Sequence, residues 1–143
     1  MRNLISKLTK AHPDLEIKAG DRFQFTPPAT LFYAEQTDYS DEEAKLLLLH
    51  ELGHYLLGEN DYRSDIELIE IEAKAWAEAK KLCAKYDVEY NEDFAEDRLD
   101  SYRNYLHEAS LCKVCQLSGY QDDHGLYHCP LCGASWQQKT PPM

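Results

Sequence analysis

Basic residues are scarce in this chain. Lys and Arg total 15 against 26 Asp and Glu, a formal net charge of −11 at pH 7. A surface of that sign repels phosphate backbones and anionic headgroups, so neither nucleic acid nor a membrane is an expected partner. Long apolar runs are missing as well. The longest aliphatic stretch is Leu46 to Leu49, far short of the roughly 20 residues that cross a bilayer. The first ten residues alternate polar and apolar types without the apolar centre of a secretion signal, and the expected location is the cytoplasm. A disulfide framework is also lacking, because the five cysteines are an odd number and four of them form two Cys-x-x-Cys pairs, a spacing that suits metal. With 143 residues, the chain can build one modest domain and a small appendage, not two full cores.

The pattern of residues predicts an α+β fold. Residues 2–10 place Leu4, Ile5 and Leu8 on one helical face, and Pro13 ends the pattern. Leu15 to Lys18 alternates at strand period, and Gly20-Asp21 turns the chain. Arg22 to Phe25 forms a second strand stopped by Pro27-Pro28, and Thr30 to Ala34 a third, in a short antiparallel sheet. Ser40 followed by Glu43 is a capping box. It opens a helix from Asp41 that carries Leu46 to Leu57, apolar nearly all round and therefore buried, with Gly58 as its C-terminal cap. Ser64 and Glu67 form a second such box, and a helix follows to about Lys85. A third long helix covers Glu92 to His107. Past Ala109 cysteine, glycine and aromatic residues replace helix formers, so the expected domains are residues 1–109 and 110–143.

The most informative five residues are His50-Glu-Leu-Gly-His54. Histidines four apart stack on one helical face, where both imidazoles can reach one zinc ion. Glu51 then stands beside the ion, where it suits a base for the attacking water. Such a site needs one more protein ligand. The next helix offers Glu67, Glu70 and Glu72. Glu72 is preferred because it shares a face with Trp76, Ala79 and Cys83, with Glu70 as the alternative. Gly53 costs its helix about 1 kcal/mol relative to alanine, which calls for a packing reason such as close approach of another backbone. Donors to a developing oxyanion could come from Tyr55, Tyr102, Tyr105 or His107, though with 10 tyrosines in the chain none is singled out. Thr30 to Ala34 is the strand expected to offer an edge to an extended peptide.

His50-Glu-Leu-Gly-His54, followed by Glu70-Ile-Glu-Ala-Lys-Ala-Trp-Ala77, resembles the ImmA/IrrE family of gluzincin metallopeptidases over roughly residues 15–85. The resemblance implies a zincin-like domain with His50, His54 and Glu72 as ligands of a catalytic zinc and Glu51 as general base. It further implies a peptide or protein substrate, with regulatory proteins such as repressors as the usual targets. Lys74 departs from the Asn or Asp usual in the family's second motif.

Cys112-Lys-Val-Cys115 and Cys129-Pro-Leu-Cys132 are separated by 13 residues. Two such knuckles with turn and strand residues between them are the signature of a zinc ribbon, and four thiolates leave no open position, so the second zinc is structural. Some 33 residues cannot hold themselves together by core burial alone, and the metal supplies the missing folding energy. His124 and His128 are expected to be bystanders, and Cys83 a small core residue. Only Lys113 and Lys139 face Asp122 and Asp123 in the ribbon. That balance favours a packing or protein-binding element, one that could keep the enzyme latent, over a nucleic-acid reader. The non-catalytic alternative for the whole chain is a zinc-binding interaction module.

Overall fold

The computed structural model describes residues 1–137 and 141, so Lys139 and the last turns of the expected ribbon lie outside the described residues. The elements run α1 (Arg2–Ala11), β1 (Glu16–Gly20), β2 (Gln24–Thr26), β3 (Thr30–Ala34), α2 (Asp41–Leu57), α3 (Asp65–Tyr86), α4 (Glu92–Ser110), β4 (Tyr120–Gln121), β5 (Tyr127–His128) and β6 (Ser135–Trp136). The class is α+β, as the sequence predicts. By contacts the chain divides into two units, Met1–Asn60 with Lys74–Phe94, and Asp61–Ala73 with Ala95–Met143.

In the first unit the sheet order is β1-β3-β2. This corrects two expectations. The sheet is mixed, because β3 pairs in parallel with β1 and antiparallel with β2. And β3 is the central strand, so it has no open edge for a peptide; the strand on that side is β2. The reason is burial: Leu31 is fully buried and Ala34 nearly so, whereas β1 and β2 carry no buried residue, and the most apolar strand takes the middle. The α1 helix lies beside β1 and buries Leu4 and Leu8, and α2 lies against β2 and β3.

The α2 helix is fixed at both ends by local chemistry. Ser40 Oγ accepts from the Glu43 N–H at 3.1 Å, and the Glu43 carboxylate accepts from the Ser40 N–H at 3.0 Å, so the capping box is complete. At the other end Gly58 adopts φ 75°, the left-handed conformation that glycine takes without strain. Leu46 to His50 and Leu52 to His54 are buried. The burial expected to run on to Leu57 stops earlier, with Leu56 and Leu57 about 40% exposed. Ser40→Ala removes one cap bond and is expected to cost about 1 kcal/mol. A thermal melt should shift down by several degrees while metal content stays unchanged, and an unshifted melt would show that packing alone holds the helix start.

The α3 helix buries Leu68, Glu72, Ala75, Trp76, Ala79, Leu82 and Cys83, while Ile66 points outward at 59% exposure. The thiol of Cys83 is pushed up to about 11 by burial, the behaviour of a core residue and not a ligand. In the second unit β4, β5 and β6 form a three-stranded antiparallel sheet in chain order. Asp122 closes the β4–β5 hairpin: its carboxylate accepts from the His124 and Leu126 N–H groups and meets His128 Nε2 at 2.7 Å.

Candidate functional site

Two groups of side chains converge closely enough to hold an ion. One is His50, His54 and Glu72, all buried, with one ligand atom of each within 4.8 Å of the others. Of the three glutamates weighed from the sequence, only Glu72 joins it. Glu70 is exposed, and Glu67 is engaged at the helix start, its N–H donating to Ser64 Oγ at 3.2 Å and its carboxylate accepting from the Arg63 N–H at 2.9 Å. The difference is one of face: Glu72 lies on the stripe with Trp76, Ala79 and Cys83, which the core buries.

The donor atoms suit a divalent ion. His54 Nε2 and His50 Nε2 stand 3.2 Å apart. Two nitrogens bound tetrahedrally to one zinc at about 2.0–2.1 Å lie about 3.3 Å from each other. The tautomer of His54 can be argued from its neighbour. Asn60 Nδ2 donates to the His54 carbonyl at 3.0 Å, which fixes the amide so that Asn60 Oδ1 faces His54 Nδ1 at 2.9 Å. An amide oxygen can only accept, so Nδ1 carries the proton and Nε2 keeps its lone pair for a ligand. The ring of His50 is held differently, stacked on Trp76 at 4.1 Å between centroids and 23° between planes.

Glu51 is half-buried, and its Oε2 accepts from the Phe25 N–H at 2.9 Å. Phe25 lies in β2, opposite Leu31, and its amide points away from the ladder toward α2. The edge strand therefore holds the carboxylate of the residue expected to act as base. Gly53 has the packing reason predicted for it: a Cβ there would lie 2.8 Å from the Ala75 carbonyl oxygen, so α2 and α3 touch at backbone level one turn from Glu72.

Neither Asn60 nor the Phe25 amide is singled out by the sequence. Asn60 follows the helix cap by two positions, so a polar residue within reach of His54 was a local signal. Phe25 is 26 residues from Glu51 and acts through its backbone, which leaves no signal at all. Tyr62 was also missed; burial first, then the Asp65 and Glu72 carboxylates, push its phenol up. Among the tyrosines weighed as oxyanion donors, Tyr105 binds the Asp65 carboxylate at 3.4 Å, and Tyr55 packs edge-on against Phe25 and His12.

The second group is Cys112, Cys115, Cys129 and Cys132, again within 4.8 Å of one another. Cys112 Sγ and Cys132 Sγ are 3.7 Å apart, close to the about 3.8 Å separating thiolates on a tetrahedral zinc at about 2.3 Å. Backbone N–H groups of Cys132 and Leu131 help draw the Cys129 thiol down to about 7, while the hydrogen bond that the Cys115 thiol donates to Cys132 is the main cause that pushes Cys115 up to about 12. A divalent cation held by the four sulfurs would favour their thiolate forms. His128 is engaged by Asp122 and Ser135 and stands outside the group, as does His124.

A His-Glu-x-x-His helix whose two histidines meet a glutamate from the following helix, over a small sheet, defines a zinc metallopeptidase-like domain. The family comparison agrees: residues 10–108 match the model of the IrrE N-terminal-like domain, a peptidase family, and the chain belongs to that family. No curated protein and no solved structure matches the chain. Among the described residues, no helix is long and apolar enough to cross a membrane.

Proposed function

We propose that this protein is a zinc-dependent endopeptidase of the gluzincin type, acting in the cytoplasm with narrow specificity toward regulatory proteins. His50, His54 and Glu72 hold one zinc, and Cys112, Cys115, Cys129 and Cys132 hold a second, structural one. The observation that supports the reading is the convergence of three buried side chains able to ligate a metal, with the carboxylate of Glu51, next to His50 in the chain, held by the Phe25 amide.

In this reading bound zinc supplies Lewis acidity, polarising the scissile carbonyl and acidifying water. Glu51 is the general base: it takes the proton of the water that attacks the peptide carbonyl, then delivers it to the departing amine nitrogen. Asn60 keeps the lone pair of His54 aimed inward, and Trp76 holds the His50 ring in plane. The substrate is a peptide segment of a protein, because the acidic surface offers nothing to nucleic acid or an anionic membrane.

Metal analysis tests the ligand assignment. Purified wild type should contain about two zinc ions, and His50→Ala about one, with the ribbon ion retained. Unchanged metal content in His50→Ala would overturn the ligand set. Two ions in a wild type that cleaves no member of a mixed peptide library would favour the interaction module.

A further inference from the structure

The four-cysteine sheet does more than fold itself, because it grips the start of the helix that carries Glu72. Two contacts from the sheet make the grip, and Tyr105 of α4 adds a third. The Gln121 amide oxygen accepts from the Asp65 N–H at 2.8 Å while the amide nitrogen, Nε2, donates to the Gly125 carbonyl at 2.9 Å. The Tyr127 hydroxyl donates to the Asp65 carboxylate in a short bond, and Tyr105 adds a longer one at 3.4 Å. Asp65 is the first residue of α3, and its N–H is one of the donors a helix start leaves without an internal partner. Asp65 is 6% exposed and Tyr127 2%, so these polar groups are out of water and losing a partner is costly.

Tyr127 is itself held on both sides. Its ring stacks on Trp136 at 5.8 Å with 9° between planes, and the Trp136 indole donates to the Ala109 carbonyl at 2.6 Å. Gly119 lies so close beneath that a Cβ would stand 2.6 Å from the His128 carbonyl oxygen and 2.8 Å from the Trp136 ring. Two residues after Tyr127 comes Cys129, a member of the four-sulfur group. Glu72 follows Asp65 by seven residues, two helical turns along the same face and about 10 Å away. A rigid path thus runs from the sulfurs through β5 and Asp65 to the glutamate.

We propose that the ribbon is a positioning element for the histidine site: Tyr127, acting through Asp65, seats Glu72, so the affinity of that site for zinc depends on the ribbon being assembled. This rests on the reading of His50, His54 and Glu72 as metal ligands. It also gives the ribbon a role without any nucleic acid or partner protein. Fraying the first turns of α3 leaves both histidines in place and takes away the carboxylate.

The test is zinc affinity, not activity. Full-length wild type, Tyr127→Phe, His50→Ala and Leu4→Ala are loaded with zinc and titrated with a graded chelator, and amide hydrogen exchange is followed in α3. Tyr127→Phe keeps the ring and its stacking and loses only the hydroxyl. It should retain the ribbon ion, bind the histidine-site ion about 10–100-fold more weakly, and exchange faster at the start of α3 in the absence of zinc. Leu4→Ala destabilises the core at α1 and should keep wild-type affinity at both sites. Wild-type affinity in Tyr127→Phe overturns the proposal, as does an equal loss in Leu4→Ala. A wild type that holds no more zinc than His50→Ala overturns the ligand reading itself, a result distinct from either.

Discussion

Glu51→Gln is expected to leave metal content at the wild-type level and to lower peptide hydrolysis by about 10²–10⁴-fold. Glutamine has the size of glutamate, and its carbonyl oxygen can still accept from the Phe25 N–H that Glu51 binds at 2.9 Å. Orientation is therefore kept, and what disappears is the capacity to take a proton. Glu51 is not in the group of converging ligand atoms, so zinc should remain. Glu51→Ala is a different experiment, since it leaves the Phe25 donor with no acceptor from α2 at a cost of about 1–3 kcal/mol, and its lost activity would mix misfolding with missing chemistry. The informative comparison is metal content, thermal melt and peptide cleavage measured together on the glutamine variant. Full hydrolysis by Glu51→Gln would remove Glu51 from the mechanism and leave the metal assignment standing.

What could be read in the sequence follows the range of the interactions. Helix starts depend on residues three apart, and Ser40 with Glu43 and Ser64 with Glu67 declare two of them. The end at Gly58 rests on one residue's tolerance of a left-handed backbone. His50, Glu51 and His54 are legible because metal chemistry fixes their spacing on a helix, and Glu72 because burial of its face was visible in Trp76, Ala79 and Cys83. The four cysteines are legible for the same reason as the histidines. Pairing between strands is not local. Nothing between residues 15 and 34 states that β3 enters between β1 and β2, since that order depends on α2 covering the most apolar strand. The Phe25 amide carries no side-chain signature, and the bond between Tyr127 and Asp65 spans 62 residues. Asn60 falls between these cases, close in sequence yet ordinary in type.

Gly53 should accept no side chain without cost. Two opposing effects decide the outcome. Alanine in a helix interior gains about 1 kcal/mol over glycine, but its Cβ would lie 2.8 Å from the Ala75 carbonyl oxygen and 3.4 Å from the Glu78 Cβ. The first of these atoms is backbone in the middle of α3. It cannot swing aside as a side-chain end would, so the two helices must move apart by a few tenths of an ångström. Overpacking of this kind costs about 1–3 kcal/mol. Gly53→Ala is therefore expected to end about 1 kcal/mol less stable than wild type. Gly53→Val adds two more carbons at the same contact and regains little propensity, so its loss should reach about 3 kcal/mol. The same displacement carries His50 and His54, on either side of Gly53, away from the helix of Glu72. Zinc affinity at the histidine site should fall in the order wild type, Ala, Val, while the four-cysteine site keeps its ion in all three. Thermal melts with and without added zinc measure both effects at once, because a site that binds less tightly stabilises the fold less. An alanine variant that melts above wild type and gains as much from zinc would show that α3 yields at Ala75, and that the close approach of the two helices is not what holds the ligands together.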